Sequence, residues 1–265
     1  MACPGRSIAL LAGLIFWIGA FAGPKETGIV LLHGKQGTPD TVIGALGSAL
    51  TDAGYLVSAP NATWSRTRIF DGPVDKGLLE IDAEVSRLRE QGAKKIIIAG
   101  QSLGANMAIR YAATRSVDGV IALAPGHNPD SPAARKLFAA DLERAHQLIR
   151  AGKGDQTDRF TDANICPAGI CTYPVILTPR EYISWWGDED GELVMPRNAA
   201  AIKSPTPLLC VVGDRDPLTR PKVDIFDKAP AHPLSKYVVV RGGHLDVPSA
   251  ARSEVLAWLA KLTAE

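Results

Sequence analysis

Short runs of apolar and β-branched residues alternate along this chain with longer stretches whose apolar residues fall three and four apart. That alternation is the mark of a parallel sheet whose crossovers are helices, because a parallel pair cannot be joined by a tight turn. The runs at 27–32, 55–59, 95–99, 119–123, 208–212 and 236–240 are predicted as strands, and 40–53, 77–91, 103–114 and 249–262 as helices. Several of the runs are continuously apolar, as expected of strands covered on both faces. The connection 126–206 is too long for a simple crossover and is expected to form a cap insertion after the fourth strand, with a helix over 132–151 and the aromatic residues Tyr182, Trp185 and Trp186. The predicted organisation is a three-layer α/β domain over 23–265, with a mostly parallel sheet of about six strands and that one insertion.

Ahead of the first strand, Arg6, an apolar run from Ile8 to Phe21 and the small-residue stretch Ala20-Phe21-Ala22 read as a signal peptide over 1–22, cleaved after Ala22. An uncleaved anchor is the competing reading. With 29 basic and 28 acidic residues, nothing in the net charge draws the whole chain to nucleic acid or an acidic membrane. The expected product is an exported monomer, periplasmic or secreted, with no membrane span after processing. Outside the reducing cytosol a disulfide persists, and Cys166 and Cys171 bracket a turn-like stretch that can close one. Cys210, inside an apolar run, is expected to pack as a small hydrophobe.

The strongest local signal is Gly100-Gln101-Ser102-Leu103-Gly104, between a predicted strand and a predicted helix. A serine in a strained strand-to-helix turn projects from the strand's carboxyl end, and flanking glycines let helix and strand approach closely. Its hydroxyl needs a base. His244, in Gly242-Gly243-His244 just past the last strand, lies on the same sheet edge; His127, after the fourth strand, is the alternative. The acid that orients the histidine is expected at Asp216, with Asp214 and then Asp130 behind it. Oxyanion donors are expected from the backbone N–H of Leu103 and, in the loop His33-Gly34-Lys35-Gln36-Gly37, of Lys35; His33 is read as supporting that loop. Trp64, Arg66, Arg68, Trp185, Trp186 and His127 are candidates for substrate contacts, an arginine meeting a carboxylate or phosphate and the tryptophans roofing an acyl pocket.

The order Ser102, Asp216, His244, with a His-Gly loop upstream and an insertion after the fourth strand, resembles the α/β-hydrolase superfamily over essentially the whole mature chain, and small esterases of the dienelactone-hydrolase-like kind look nearest. The resemblance implies an open, mostly parallel sheet, a cofactor-free Ser-His-Asp triad and attack on the ester or thioester carbonyl of a small acyl substrate through an acyl-enzyme. The usual opening pair of antiparallel strands is missing or very short, and the oxyanion loop lacks the triple glycine of many lipases. A peptidase or amidase with the same triad, or a non-catalytic binding protein on this scaffold, are the rival functions. The acidic run 188–192 reads as a solvated turn, Asn61-Ala62-Thr63 fits a glycosylation acceptor, and no metal or organic cofactor is implied.

Overall fold

The computed structural model describes residues 23–166, 169–218 and 221–264. The expected signal segment, 1–22, lies outside the described residues. Along the chain run β1 (Thr27–Leu32), α1 (Gly44–Asp52), β2 (Leu56–Ser58), α2 (Val74–Glu90), β3 (Lys95–Gln101), α3 (Leu103–Thr114) and β4 (Gly119–Leu123). Next come α4 (Pro132–Arg150), β5 (Asp158–Cys166), β6 (Gly169–Leu177), α5 (Pro179–Trp186), α6 (Met195–Ala200), β7 (Leu208–Gly213), α7 (Pro221–Asp224), β8 (Lys236–Val240), α8 (Val247–Ala250) and α9 (Arg252–Thr263).

Six strands form one sheet in the order β2-β1-β3-β4-β7-β8, and every pairing in it is parallel. Its two faces are sorted by residue parity. Val30, Leu32, Ile96, Ile98, Val120 and Ala122 enter one core, shared with α2 and α3, whereas Ile29, Leu31, Ile97, Ala99, Ile121 and Leu123 enter the other, shared with α1 and α9. A period of two with both sets apolar is what a strand covered on both sides requires. Cys210 is buried in the first core as a free thiol, and burial pushes its pKa up to about 12.

Element edges differ from expectation where tertiary contacts decide them. Helix α1 starts at Gly44 rather than 40, because Thr38 and Thr41 exchange side-chain and backbone hydrogen bonds in a turn ahead of it. Helix α2 starts at Val74, three residues early, its first N–H donating to Ser184 Oγ across the fold. The predicted helix 249–262 is two, α8 and α9, separated at Ala251.

Between β4 and β7 the structure has α4, an antiparallel hairpin of β5 and β6, and α5 and α6. The hairpin is absent from the sequence reading. Helix α4 is capped by Ser131, whose Oγ accepts from Ala134 N–H, and α5 by a reciprocal Thr178/Glu181 box. The Phe160, Tyr182 and Trp186 rings stack in sequence, with centroids 4.3 and 4.9 Å apart, and fasten this segment to the α2/α3 face of the sheet. A disulfide joins Cys166 and Cys171 near the hairpin's tip, with Cα atoms 5.8 Å apart. Among the described residues, no helix is long and apolar enough to cross a membrane.

Candidate active site

Ser102 sits between the last residue of β3 and the first of α3, with φ 55° and ψ −122°. A non-glycine residue holds that conformation only where its surroundings enforce it. Here the enforcement is close packing: a Cβ on Gly100 would lie 2.3 Å from the Gly104 carbonyl, and one on Gly104 would lie 2.4 Å from Leu32 O. Glycine at both places lets α3 press against β1 and β3, and the serine is turned outward at the strand ends.

The parallel sheet brings two further loops to that rim. Past β7, Asp216 Oδ1 accepts from Leu218 N–H and Oδ2 lies 2.7 Å from His244 Nδ1. Both side chains are almost fully buried. Asp214 does something else: its Oδ1 accepts from Gly242 N–H at 2.8 Å and shapes the turn that delivers His244. With Nδ1–H donating to a carboxylate, the Nε2 lone pair of His244 is the basic site, and this buried atom has no hydrogen-bonding partner.

Gly126, just past β4, reveals how Ser102 and His244 lie relative to each other. A Cβ built there would be 2.9 Å from Ser102 Oγ and 3.1 Å from His244 Nε2. Hydroxyl and imidazole therefore flank one small space, kept open by a missing side chain. Asn106 of α3 holds the backbone beside it, its Oδ1 accepting from the N–H groups of Gly126 and His127 and its Nδ2 donating to His127 O.

The loop after β1 lies against Ser102, since a Cβ on Gly34 would be 3.1 Å from Ser102 Cβ. His33 braces this loop: Nδ1–H donates to Gly34 O at 2.8 Å and Nε2 accepts from Ala62 N–H at 3.1 Å. Those bonds fix the neutral tautomer, and burial pushes the pKa of His33 down. Leu103, as the first residue of α3, presents an N–H with no acceptor within its helix.

A cavity of about 710 Å³ opens over Ser102, Leu103, Lys35 and Gly126. Its walls are largely apolar: Leu137 and Phe138 from α4, Ile165 and Ile170 from the hairpin, and Met195 from α6. His127 and Asp130 also line it. His127 Nε2–H donates to Trp185 O at 2.7 Å, and burial, reinforced by the Lys35 cation, holds its pKa down to about 4. Asp130 is half-buried, and burial raises its pKa.

Of the six residues proposed from sequence for substrate contact, five lie elsewhere and His127 alone lines the cavity. Trp64 and Trp185 are buried outside the cavity wall, donating their indole N–H groups to His33 O and Gly72 O, with rings 6.0 Å apart edge to face. Arg66 is exposed and does not line the cavity. Arg68 is spent on Asp71, Glu80 and Asn61 O. An indole N–H seeks a carbonyl when buried, so these aromatics brace the loops around the rim rather than roof the pocket. In the acidic run, Asp188, Asp190 and Glu192 face Arg135, His146 and Arg110. The sequence reading missed the hairpin residues Asp162, Asn164 and Ile165, because 158–166 carries no regular alternation of apolar and polar residues.

No curated protein matches the chain. Among solved structures, one of the metagenome-derived lipolytic enzymes LipS and LipT superposes with a TM-score of 0.64 at 15% identity, over 91% of this chain and 96% of that one. Est1E from Butyrivibrio proteoclasticus, with ferulic acid bound, gives 0.62 at 17% identity over 92% and 94%. The monoacylglycerol lipase of Paleococcus ferrophilus gives 0.56 at 18% identity over 91% and 97%. Identities this low speak for the fold alone. A sequence profile described as the alpha/beta hydrolase family matches residues 29–258, nearly the whole described chain, and the protein is therefore a hydrolase belonging to the alpha/beta hydrolase family.

Proposed function

We propose that this hydrolase cleaves a carboxylic ester or thioester through an acyl-enzyme, with Ser102 as nucleophile, His244 as general base and Asp216 as the acid that orients it. The observation that carries the reading is the small space at Gly126, flanked by Ser102 Oγ and the unpartnered His244 Nε2. A carbonyl carbon entering it meets the hydroxyl while Nε2 takes the proton, and the Asp216 carboxylate stabilises the imidazolium that forms. The N–H groups of Leu103 and Lys35 stabilise the developing oxyanion. His244 then returns its proton to the leaving alcohol or thiol, and water, deprotonated by the same Nε2, releases the acid.

The apolar cavity wall favours a hydrocarbon acyl group, and the similar solved structures named as lipolytic enzymes and a monoacylglycerol lipase agree with an ester. The disulfide favours an oxidising compartment and so export. A fluorophosphonate probe should label Ser102 and be lost in Ser102→Ala, together with hydrolysis of simple esters and thioesters. Turnover at the wild-type rate in Ser102→Ala would sink the reading.

A further inference from the structure

Lys35 belongs to the loop that presses on the nucleophile, yet its side chain is turned away from solvent. Nζ donates to Asp162 Oδ1 at 2.5 Å and to Ala163 O at 2.9 Å, and the two charged side chains are 9% and 0% exposed. Asp162 lies on β5, next in sequence to Ala163, which lines the cavity. Its carboxylate is itself held firmly: Oδ1 also accepts from Trp186 Nε1–H and from Ala163 N–H, and Oδ2 accepts from the Tyr173 hydroxyl of β6. The Lys35 ammonium also lies 5.5 Å from the Trp186 ring centroid and 5.9 Å from that of Phe70.

The next loop residue repeats the connection. Gln36 Oε1 accepts from Asn164 Nδ2 at 3.5 Å, while its N–H donates to Trp64 O and its backbone is held at φ 54°. Two consecutive residues of the loop thus reach the same strand, more than a hundred residues away in sequence, and one of them does so through a buried ion pair.

Such a pair contributes little net stability over apolar side chains of similar size, because both ions lose their hydration. What it supplies is a fixed distance between two elements. That matters here because an oxyanion exists only as the reaction proceeds, so displacing its donor by a fraction of an ångström weakens the transition state far more than the bound substrate. We propose that the Lys35 side chain is a positioning residue for oxyanion stabilisation: its clasp on Asp162 holds the loop against the β5–β6 hairpin, which sets the place of the Lys35 backbone N–H. The inference rests on the reading of Ser102 as nucleophile and of that N–H as an oxyanion donor.

The test is the double variant Lys35→Met/Asp162→Asn, which keeps both side-chain shapes, retains the backbone N–H and leaves no buried charge unpaired. Its kcat for a simple ester should fall about 10- to 100-fold with KM changed less than about threefold. Affinity for a boronic acid that mimics the tetrahedral intermediate should fall in parallel, whereas affinity for the carboxylic acid product should hold. If the double variant fails to fold, Lys35→Arg, which keeps the charge paired but alters its reach and hydrogen-bond geometry, carries the same test with a smaller loss of kcat. A folded variant with wild-type kcat, or one whose whole loss lies in KM, overturns the inference. Should Ser102→Ala abolish turnover while the double variant keeps it, the positioning role fails alone; should Ser102→Ala turn over normally, the underlying reading fails with it.

Discussion

The His244 imidazole is bound on one side only: Nδ1 lies 2.7 Å from Asp216 Oδ2, while Nε2, buried, has no partner and faces the space shared with Ser102 Oγ. Asp216 therefore selects the tautomer that leaves Nε2 free to accept a proton. Replacing it by an amide, Asp216→Asn, keeps the shape and lets the tautomer reverse. Turnover of a simple ester should drop by about 10³- to 10⁴-fold. In Asp214→Asn, which touches only the Gly242 turn, the loss should be much smaller, and steady-state kinetics on the two variants separates these roles.

Gly126→Ala tests the shared space directly. The added methyl would stand 2.7 Å from His244 Cε1 and 2.9 Å from Ser102 Oγ, closer than carbon and oxygen tolerate. Hydrolysis and fluorophosphonate labelling should both be nearly abolished. The fold should survive, because the methyl enters the cavity and not the core; an unchanged circular dichroism spectrum beside the lost labelling is the expected pair of results.

Acid should destabilise the protein through its buried histidines. His127 has a folded-state pKa held down to about 4 from the ordinary 6.5. The unfolded chain thus binds a proton that the folded chain refuses, so the stability from keeping His127 neutral is complete above the ordinary value and declines as pH falls from there towards about 4. The total is about 3 kcal/mol. His33, also pushed down by burial, acts in the same direction. Urea unfolding across this range should show stability falling with acid, and His127→Gln should flatten the slope.

The disulfide closes the hairpin whose Ile165 and Ile170, paired across its two strands, form part of the cavity wall. In Cys166→Ser/Cys171→Ser, loss of so short a crosslink should lower stability by about 2 kcal/mol. The slackened wall should also raise kcat/KM for long acyl esters relative to short ones. An unchanged chain-length preference would mean that the ion pair and aromatic stack hold the wall without the crosslink.

What the chain disclosed in advance tracks how local each cause is. The central strands were legible because burial on both faces leaves continuous apolar runs, and the turn at Ser102 because its glycines stand two residues either side of it. Asp216 and His244 were reachable through topology, since parallel strands put their carboxyl ends on one rim. The hairpin was not. Its inward face carries Asp162, a carboxylate where the pattern calls for an apolar residue, and the lysine that makes this tolerable lies on a distant loop. Trp64 and Trp185 misled for a related reason: an aromatic residue near the rim looks like a pocket wall, and only the carbonyl that its N–H finds shows that it faces inward.

Strands β4 and β7 are neighbours, with Val120 opposite Leu208, so everything between them leaves the sheet and rejoins it at adjacent points. Such a segment is a module that can be lengthened, shortened or exchanged without disturbing sheet order, altering the cavity wall while Ser102, Asp216 and His244 keep their places on the rim. Here the module is not fully autonomous. Lys35, outside it, depends on a carboxylate inside it, and the two positions are expected to be inherited, lost or replaced together.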